Sequence, residues 1–290
     1  MKIRKITLAL IVSIMIGYIP TSSFAVNSVP SHGLSVTPSR QALNIAASKE
    51  KASYFTVANY TDKVMKVDLT VQEFSVSDLT YDYVFRKPDH EWVKMQLDQI
   101  YLQPKQSSKV FYNVTVPPRA KPGGYYFALF ASTKVEESGL PGTEQVASLL
   151  YLTVDGKLVR TSVLQNDSVP WFVMGNEIPY TFNVKDTGNV YFTAYFYGKV
   201  NGLFSNQPMT GTSHVLMPDA IRTISGSVPT PILPGVYSLT YGYKVDFADV
   251  EIAKTKLVVF IPPWSIATLA FIILAVIWLR QRSRIQKEPQ

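Results

Sequence analysis

Apolar and polar residues alternate along most of the chain. Residues 54–58 (YFTVA) and 64–74 (VMKVDLTVQEF) carry an apolar side chain at nearly every second position, with the polar turn Asn59-Tyr60-Thr61-Asp62-Lys63 between them. Residues 99–102, 109–116 (KVFYNVTV), 125–132 (YYFALFAS) and 147–154 (ASLLYLTV) repeat the pattern. A period of two sends successive side chains to opposite faces, as a half-buried strand requires. Breaks fall at Pro104, Pro117-Pro118, Pro122-Gly123-Gly124 and between Gly139 and Gly142. A second series follows Asp155-Gly156, with runs at 159–164, 180–184, 190–197 (VYFTAYFY), 213–217, 223–228, 235–243 and 251–260. No helical period competes with these runs outside the two termini. Short alternating runs separated by turn residues predict an all-β chain of two Ig-like β-sandwich domains, at 26–154 and 155–260.

The termini follow other patterns. Lys2, Arg4 and Lys5 precede an apolar run at 6–19, and small residues at Ser23 and Ala25 suit signal peptidase. The expectation is a signal peptide at 1–25. Residues 264–279 (WSIATLAFIILAVIWL) carry no charge and are flanked by an apolar approach. A helix needs roughly 20 residues to cross a hydrocarbon core of about 30 Å. The prediction is a transmembrane helix at 261–279, with Trp264 and Trp278 at the two interfaces. Arg280, Arg282, Arg284 and Lys287 then mark 280–290 as a basic cytoplasmic tail by the positive-inside rule.

Charge and cysteine content narrow the function classes. The net charge is +7, of which the signal contributes three and the tail three, leaving one for everything between. The basic residues are therefore topology signals, and nucleic acid is not an expected partner. With no cysteine, the exported part must rely on hydrophobic cores and has no thiolate for metal binding or nucleophilic attack.

Two late turns echo one another: Pro122-Gly123-Gly124-Tyr125-Tyr126-Phe127 and Pro234-Gly235-Val236-Tyr237 each lead from Pro-Gly into an aromatic strand. Together with Ser35-Val36-Thr37-Pro38-Ser39, Val57-Ala58-Asn59-Tyr60-Thr61, Tyr101-Leu102-Gln103-Pro104, Val116-Pro117-Pro118 and Asp186-Thr187-Gly188-Asn189-Val190, they resemble bacterial membrane-anchored surface proteins with tandem Ig-like domains. The whole arrangement is distantly similar to the WxL-interacting cell-wall proteins of Gram-positive bacteria. That resemblance implies peptidoglycan or a WxL-type surface protein as a partner.

Catalytic constellations are lacking in the sequence. His32, His90 and His214 are far apart and have no metal-ligand spacing. No serine sits in a nucleophile elbow, and no Gly-rich loop precedes a helix. The carboxylates Asp246, Asp249 and Glu251, and Asp78, Asp82, Asp89 and Glu91, do not follow a calcium-loop pattern. Leu140-Pro141-Gly142-Thr143-Glu144 resembles a sorting signal but ends in Glu and lies far upstream of the apolar helix, so a surface loop is expected. The reading is a non-enzyme without cofactor or metal: a single-pass membrane protein with an extracellular or periplasmic ectodomain that binds or scaffolds a wall polymer or surface protein. The alternatives are a pilus-type assembly chaperone, which lends a strand to a subunit, and a carbohydrate-active enzyme on a sandwich scaffold. Tyr81, Tyr83 and Trp92, in the long loop region of the first domain, are the candidate partner contacts.

Overall fold

The computed structural model describes residues 33–137, 140–202, 205–206, 208–245 and 250–285. The expected signal peptide, His32, Asp246, Asp249 and the end of the tail lie outside the described residues. The first ten strands are β1 (Leu34–Thr37), β2 (Arg40–Ile45), β3 (Glu50–Asn59), β4 (Met65–Val76), β5 (Tyr83–Arg86), β6 (Val93–Met95), β7 (Gln99–Leu102), β8 (Ser107–Thr115), β9 (Gly123–Glu137) and β10 (Leu140–Val154). They form one sheet in the order β1-β3-β8-β6 and another in the order β2-β10-β9-β4-β5, with β7 also on β4. The alternating positions explain the pairing of faces. Phe55 and Val57 of β3 and Val110, Tyr112 and Val114 of β8 point inward from one sheet. Val67 and Leu69 of β4, Phe127 and Leu129 of β9, and Leu150 and Leu152 of β10 meet them from the other. Each such side chain contributes about 1.5–3 kcal/mol by leaving water.

The next strands repeat the plan: β11 (Ser162–Ser168), β12 (Phe172–Val173), β13 (Glu177–Asp186), β14 (Phe192–Gly202), β15 (Ser205–Asn206), β16 (Thr210–Leu216), β17 (Ile221–Pro229), β18 (Gly235–Val245) and β19 (Val250–Phe260). One sheet runs β11-β13-β17 and the other β12-β19-β18-β14-β15, with β16 on β14. Phe182, Phe196, Leu239 and Tyr241 are among the large side chains in the core between them.

Both sandwiches split their first strand between the two sheets at a proline. The chain passes from β1 to β2 through a cis Thr37–Pro38 peptide, and from β11 to β12 through Val169-Pro170-Trp171. In each case the second half then runs parallel to the last strand: β2 with β10, and β12 with β19. The two Pro-Gly turns also occupy equivalent places. Gly123 opens β9 and Gly235 opens β18. The Tyr125 hydroxyl donates to the Lys121 carbonyl at 3.1 Å, and the Tyr237 hydroxyl to the Leu233 carbonyl at 2.8 Å. These are tyrosine corners, which pin the entry to a late strand of an Ig-type sandwich. Gly123 is required at its site: its φ is +150°, and a Cβ there would sit 2.8 Å from the Asn189 carbonyl oxygen.

The hairpin of β9 and β10 is longer than the sequence suggests. Pro141 and Gly142, read as a break and surface loop, instead pair with Glu136 and Val135 in the ladder. Backbone pairing tolerates proline near a strand start when its missing N–H faces an open edge. Likewise, the run expected at 159–164 forms a strand only from Ser162 and extends to Ser168.

A third cluster joins the sandwiches. Phe74, Ala128, Phe130 and Tyr151 from the first sandwich pack against Met217 and Ala220 of the second. Positions 127–131 of β9 are therefore buried on both faces. The final element, α1 (Pro263–Ile285), contains an 18-residue window at Pro263–Arg280 that is long and apolar enough to cross a membrane, and none of that window is buried by protein. It continues past Leu279, so the basic residues at 280–285 extend the helix.

Candidate functional site

The contact between the sandwiches leaves a cleft of about 370 Å³ whose wall includes Arg40, Tyr81, Tyr83, Tyr151, His214 and Arg222. Arg40 is the first residue of β2, immediately after the sheet crossover, and its guanidinium lies 4.8 Å from the centroid of the Tyr151 ring. Arg222 enters from β17 and stacks 4.3 Å from the Tyr81 ring. It donates to the Val215 carbonyl at 3.0 Å and to Nδ1 of His214 at 3.2 Å. Burial and the Arg222 charge both lower the His214 pKa, so the ring stays neutral, with Nδ1 accepting from Arg222 and Nε2 beside the Thr212 hydroxyl at 2.8 Å. Burial pushes the Tyr81 hydroxyl up to about 12, and raises Tyr151 as well. Both phenols are therefore neutral at physiological pH. No carboxylate lines the cleft, and among the described residues none pairs with either guanidinium at salt-bridge distance. The site is an open, aromatic-walled, cationic cleft suited to an anionic group.

Beside it runs an open strand edge. β2 covers β10 only from Leu149 to Val154, starting with the pair Leu149–Arg40. Residues 140–148 of β10 pair with β9 on one side and, among the described residues, have no ladder partner on the other. There β1 and the proline after it approach only through side-chain hydrogen bonds: the Leu34 amide donates to Glu144 Oε1 at 3.0 Å and the Ser148 hydroxyl to the Pro38 carbonyl at 2.7 Å. The Leu149 amide donates outward to the Ser39 carbonyl at 2.9 Å, and the Asp155 amide outward to Ile45 at 3.2 Å. The period of two then points the amides of Thr143, Gln145 and Ala147 outward too. Pro141 falls on the same parity and has no N–H to satisfy. β2 is parallel to β10, so a further strand laid along 140–148 in that direction ends at Arg40.

The three residues singled out from sequence separate. Tyr81 lines the cleft but also ties the chain to itself: its hydroxyl oxygen accepts the Met217 amide at 2.6 Å. The neighbouring Leu79 amide donates to the Ile221 carbonyl at 2.7 Å, and the Asp78 carboxylate accepts the Ile221 amide at 2.8 Å. Tyr83 is exposed at the cleft rim on edge strand β5, stacked on Phe85 with 6.1 Å between ring centroids. Trp92 lies elsewhere, half-buried between His90 and Tyr125 at 4.8 and 4.4 Å. Sequence reasoning missed Arg40, Arg222 and Tyr151, because an isolated arginine or tyrosine in a strand carries no local signal. Among the described residues, no group of three or more His, Cys, Asp or Glu is arranged to hold a metal. The acidic residues have other duties: Asp89 meets Arg86 at 3.6 Å, and Glu251 meets Lys244 at 3.4 Å.

No family model and no curated protein sequence matches the chain. Solved structures similar to it include the class 5 fimbriae chaperone CfaA, at 10% identity and a TM-score of 0.43, over 78% of this chain and 99% of that one. The YadV chaperone has 10% identity and a TM-score of 0.40, over 78% of this chain and all of that one. A chain of the CsuC–CsuE chaperone-tip adhesion subunit pre-assembly complex from Acinetobacter baumannii has 10% identity and a TM-score of 0.37, over 69% and 90%.

Proposed function

We propose that the chain is a membrane-tethered, non-enzymatic binding protein of the assembly-chaperone kind. It takes an extended exported polypeptide as an added strand on β10 and holds that polypeptide's carboxyl terminus in the cleft of Arg40 and Arg222. The observation that carries this reading is the unpaired edge at 140–148, which stops at a guanidinium where β2 begins. Strand addition satisfies main-chain donors and acceptors with little regard to sequence, and alternate side chains set preference. A carboxylate held by guanidinium groups adds charge-assisted hydrogen bonds and fixes the strand's direction.

The tether is α1. Its uncharged run extends from Pro263 to Leu279, Trp264 sits in the first turn, and basic residues begin at Arg280, which by charge bias puts the C-terminus in the cytoplasm and both sandwiches outside. A WxL-type surface protein, the partner implied by the sequence resemblance, fits the same edge because strand addition reads backbone. The glycan strands of peptidoglycan have no amide backbone to pair, and its stem peptides are short and of mixed chirality, which a regular strand ladder does not accept, so the polypeptide reading takes precedence over the wall-polymer scaffold.

A photo-crosslinking residue placed at Gln145 tests the proposal in cells. The expected product is a covalent adduct with an exported polypeptide, lost when Arg40 and Arg222 are both replaced by alanine. Adducts with glycan alone, or none with any polypeptide, would overturn it.

A further inference from the structure

The end of the second sandwich from which α1 departs is apolar on its surface. Trp171 is 75% exposed and Ile232 82% exposed, values that leave both side chains almost wholly outside the fold. Met174 and Leu233 are exposed beside them, as are Val236 and Leu257 on the adjoining outer sheet face. The topology brings them together. The Trp171 carbonyl accepts the Val259 amide at 2.8 Å, and the Val173 carbonyl accepts the Ile261 amide at 3.1 Å. The Thr230 amide donates to the Asn176 carbonyl at 2.9 Å, joining the two loops, and Gly235 pairs with Phe260 at the root of α1.

Charge is sparse at the same end, where exposed Glu177 on the β13–β17 pair is the acidic neighbour of these loops. Residues 168–176, 223–243 and 257–279 contain no Asp, Glu, Lys or Arg. Exposed apolar side chains on one end of a sandwich are costly in water and mark a contact surface.

The connection to α1 selects the occupant. Only Ile261 and Pro262 separate β19 from the helix, and such a link spans about 10 Å at full stretch. The 18-residue apolar window is about 27 Å long, close to the thickness of the hydrocarbon core, so its first turn has no slack to stand clear of the interface. The loops of Trp171 and Ile232 are held at that depth by the strand pairs at Val259 and Phe260.

We infer that this end of the second sandwich is seated in the lipid interface, with Trp171, Met174, Ile232 and Leu233 inserted as a collar around the root of α1. The collar fixes the ectodomain's posture over the bilayer, so the cleft and the open edge of β10 keep a set orientation toward polypeptides leaving the membrane. Interfacial tryptophan paired with aliphatic loop residues is the chemistry of such insertion.

This inference rests on the reading that α1 crosses a membrane, and the test separates the two. The chain has no cysteine, so I232C, Leu274→Cys and Tyr60→Cys each provide one nitroxide attachment point in the full chain, reconstituted in phosphatidylcholine–phosphatidylglycerol vesicles. Relaxation by oxygen and by a water-soluble nickel chelate reports depth. The expected order is deep burial at 274, interfacial depth at 232 with oxygen collisions exceeding those of the chelate, and chelate dominance at 60. If 274 is deep while 232 matches 60, the collar is wrong and the membrane reading stands. If 274 is also open to the chelate, both are wrong.

Discussion

The Arg40 guanidinium stands over the Tyr151 ring at 4.8 Å, while Tyr151 itself is buried against Phe74, Tyr126 and Tyr191. The ring is thus fixed by both sandwiches and serves as a platform for a charge that has no carboxylate partner among the described residues. Arg40→Ala leaves that packing in place, so thermal stability should change by no more than the ~0.5–1 kcal/mol of an exposed cation–π contact. Affinity for a partner with a free carboxyl terminus should fall about 10- to 100-fold, the loss expected for a hydrogen bond to a charged group. Calorimetry on both proteins checks the split, and Arg40→Lys should recover part of the binding.

The two sandwiches are joined by buried polar contacts as well as aromatic packing. The Tyr126 hydroxyl oxygen accepts the Tyr191 amide at 2.9 Å, and Tyr81 does the same for Met217. Tyr126→Phe removes the acceptor and leaves a buried amide, which should cost about 1–3 kcal/mol in chemical denaturation. Amide exchange should quicken at Tyr191, while the far strands of each core keep their protection.

Asp186 gives stability a pH dependence near neutrality. It is fully buried at the end of β13, with Oδ1 accepting the Gly188 amide at 2.7 Å and Oδ2 without a hydrogen-bond partner. Burial, with a smaller push from Asp219, raises its pKa to about 7, well above the value near 3.9 of an unfolded chain. Between these values the folded state holds a proton that the unfolded state has lost. Its contribution is full below about pH 4 and is lost as pH rises through 7. Asp186→Asn should therefore match the native chain at pH 4.5 and exceed it in melting temperature at pH 8.

Glu73 acts in the opposite window. Burial pushes its pKa up, but the His90 ring at 2.8 Å, the His90 amide at 2.9 Å and Arg86 at 3.2 Å together outweigh that and lower it. A depressed carboxylate stabilises above its unfolded pKa and loses that contribution as pH falls through the folded value. Glu73→Gln should be less stable than the native chain at pH 7, with the gap closing below about pH 4. Melting curves across pH 3 to 8 check the sign.

The all-β character, most strands and the apolar helix are legible in the sequence because one-sided burial leaves an alternating trace. The trace fails where both faces are covered: Phe127, Ala128, Leu129, Phe130 and Ala131 read as an ordinary apolar run, though alternate members serve the sandwich core and the junction. It also fails at short split strands such as β1 and β12, whose few residues are held by pairing and not by pattern. The cleft was less legible still. Tyr81 and Tyr83 stand out in the sequence as loop-region aromatics, but Arg40 and Arg222 come together only through the docking of two sandwiches. Trp92 carries the same sequence signal and packs on Tyr125 instead.

The central claim is that a strand adds to β10 and ends at Arg40, and amide exchange on the full chain in nanodiscs tests it most directly. In the free protein the outward amides of Thr143, Gln145 and Ala147 should exchange quickly and their inward neighbours slowly. Adding the C-terminal peptide of the polypeptide captured at Gln145 should protect those three amides together, and amidating its terminus or introducing Arg40→Ala should raise the peptide concentration needed for that protection about 10- to 100-fold. Binding of the peptide with no change at Thr143, Gln145 and Ala147 would contradict the account.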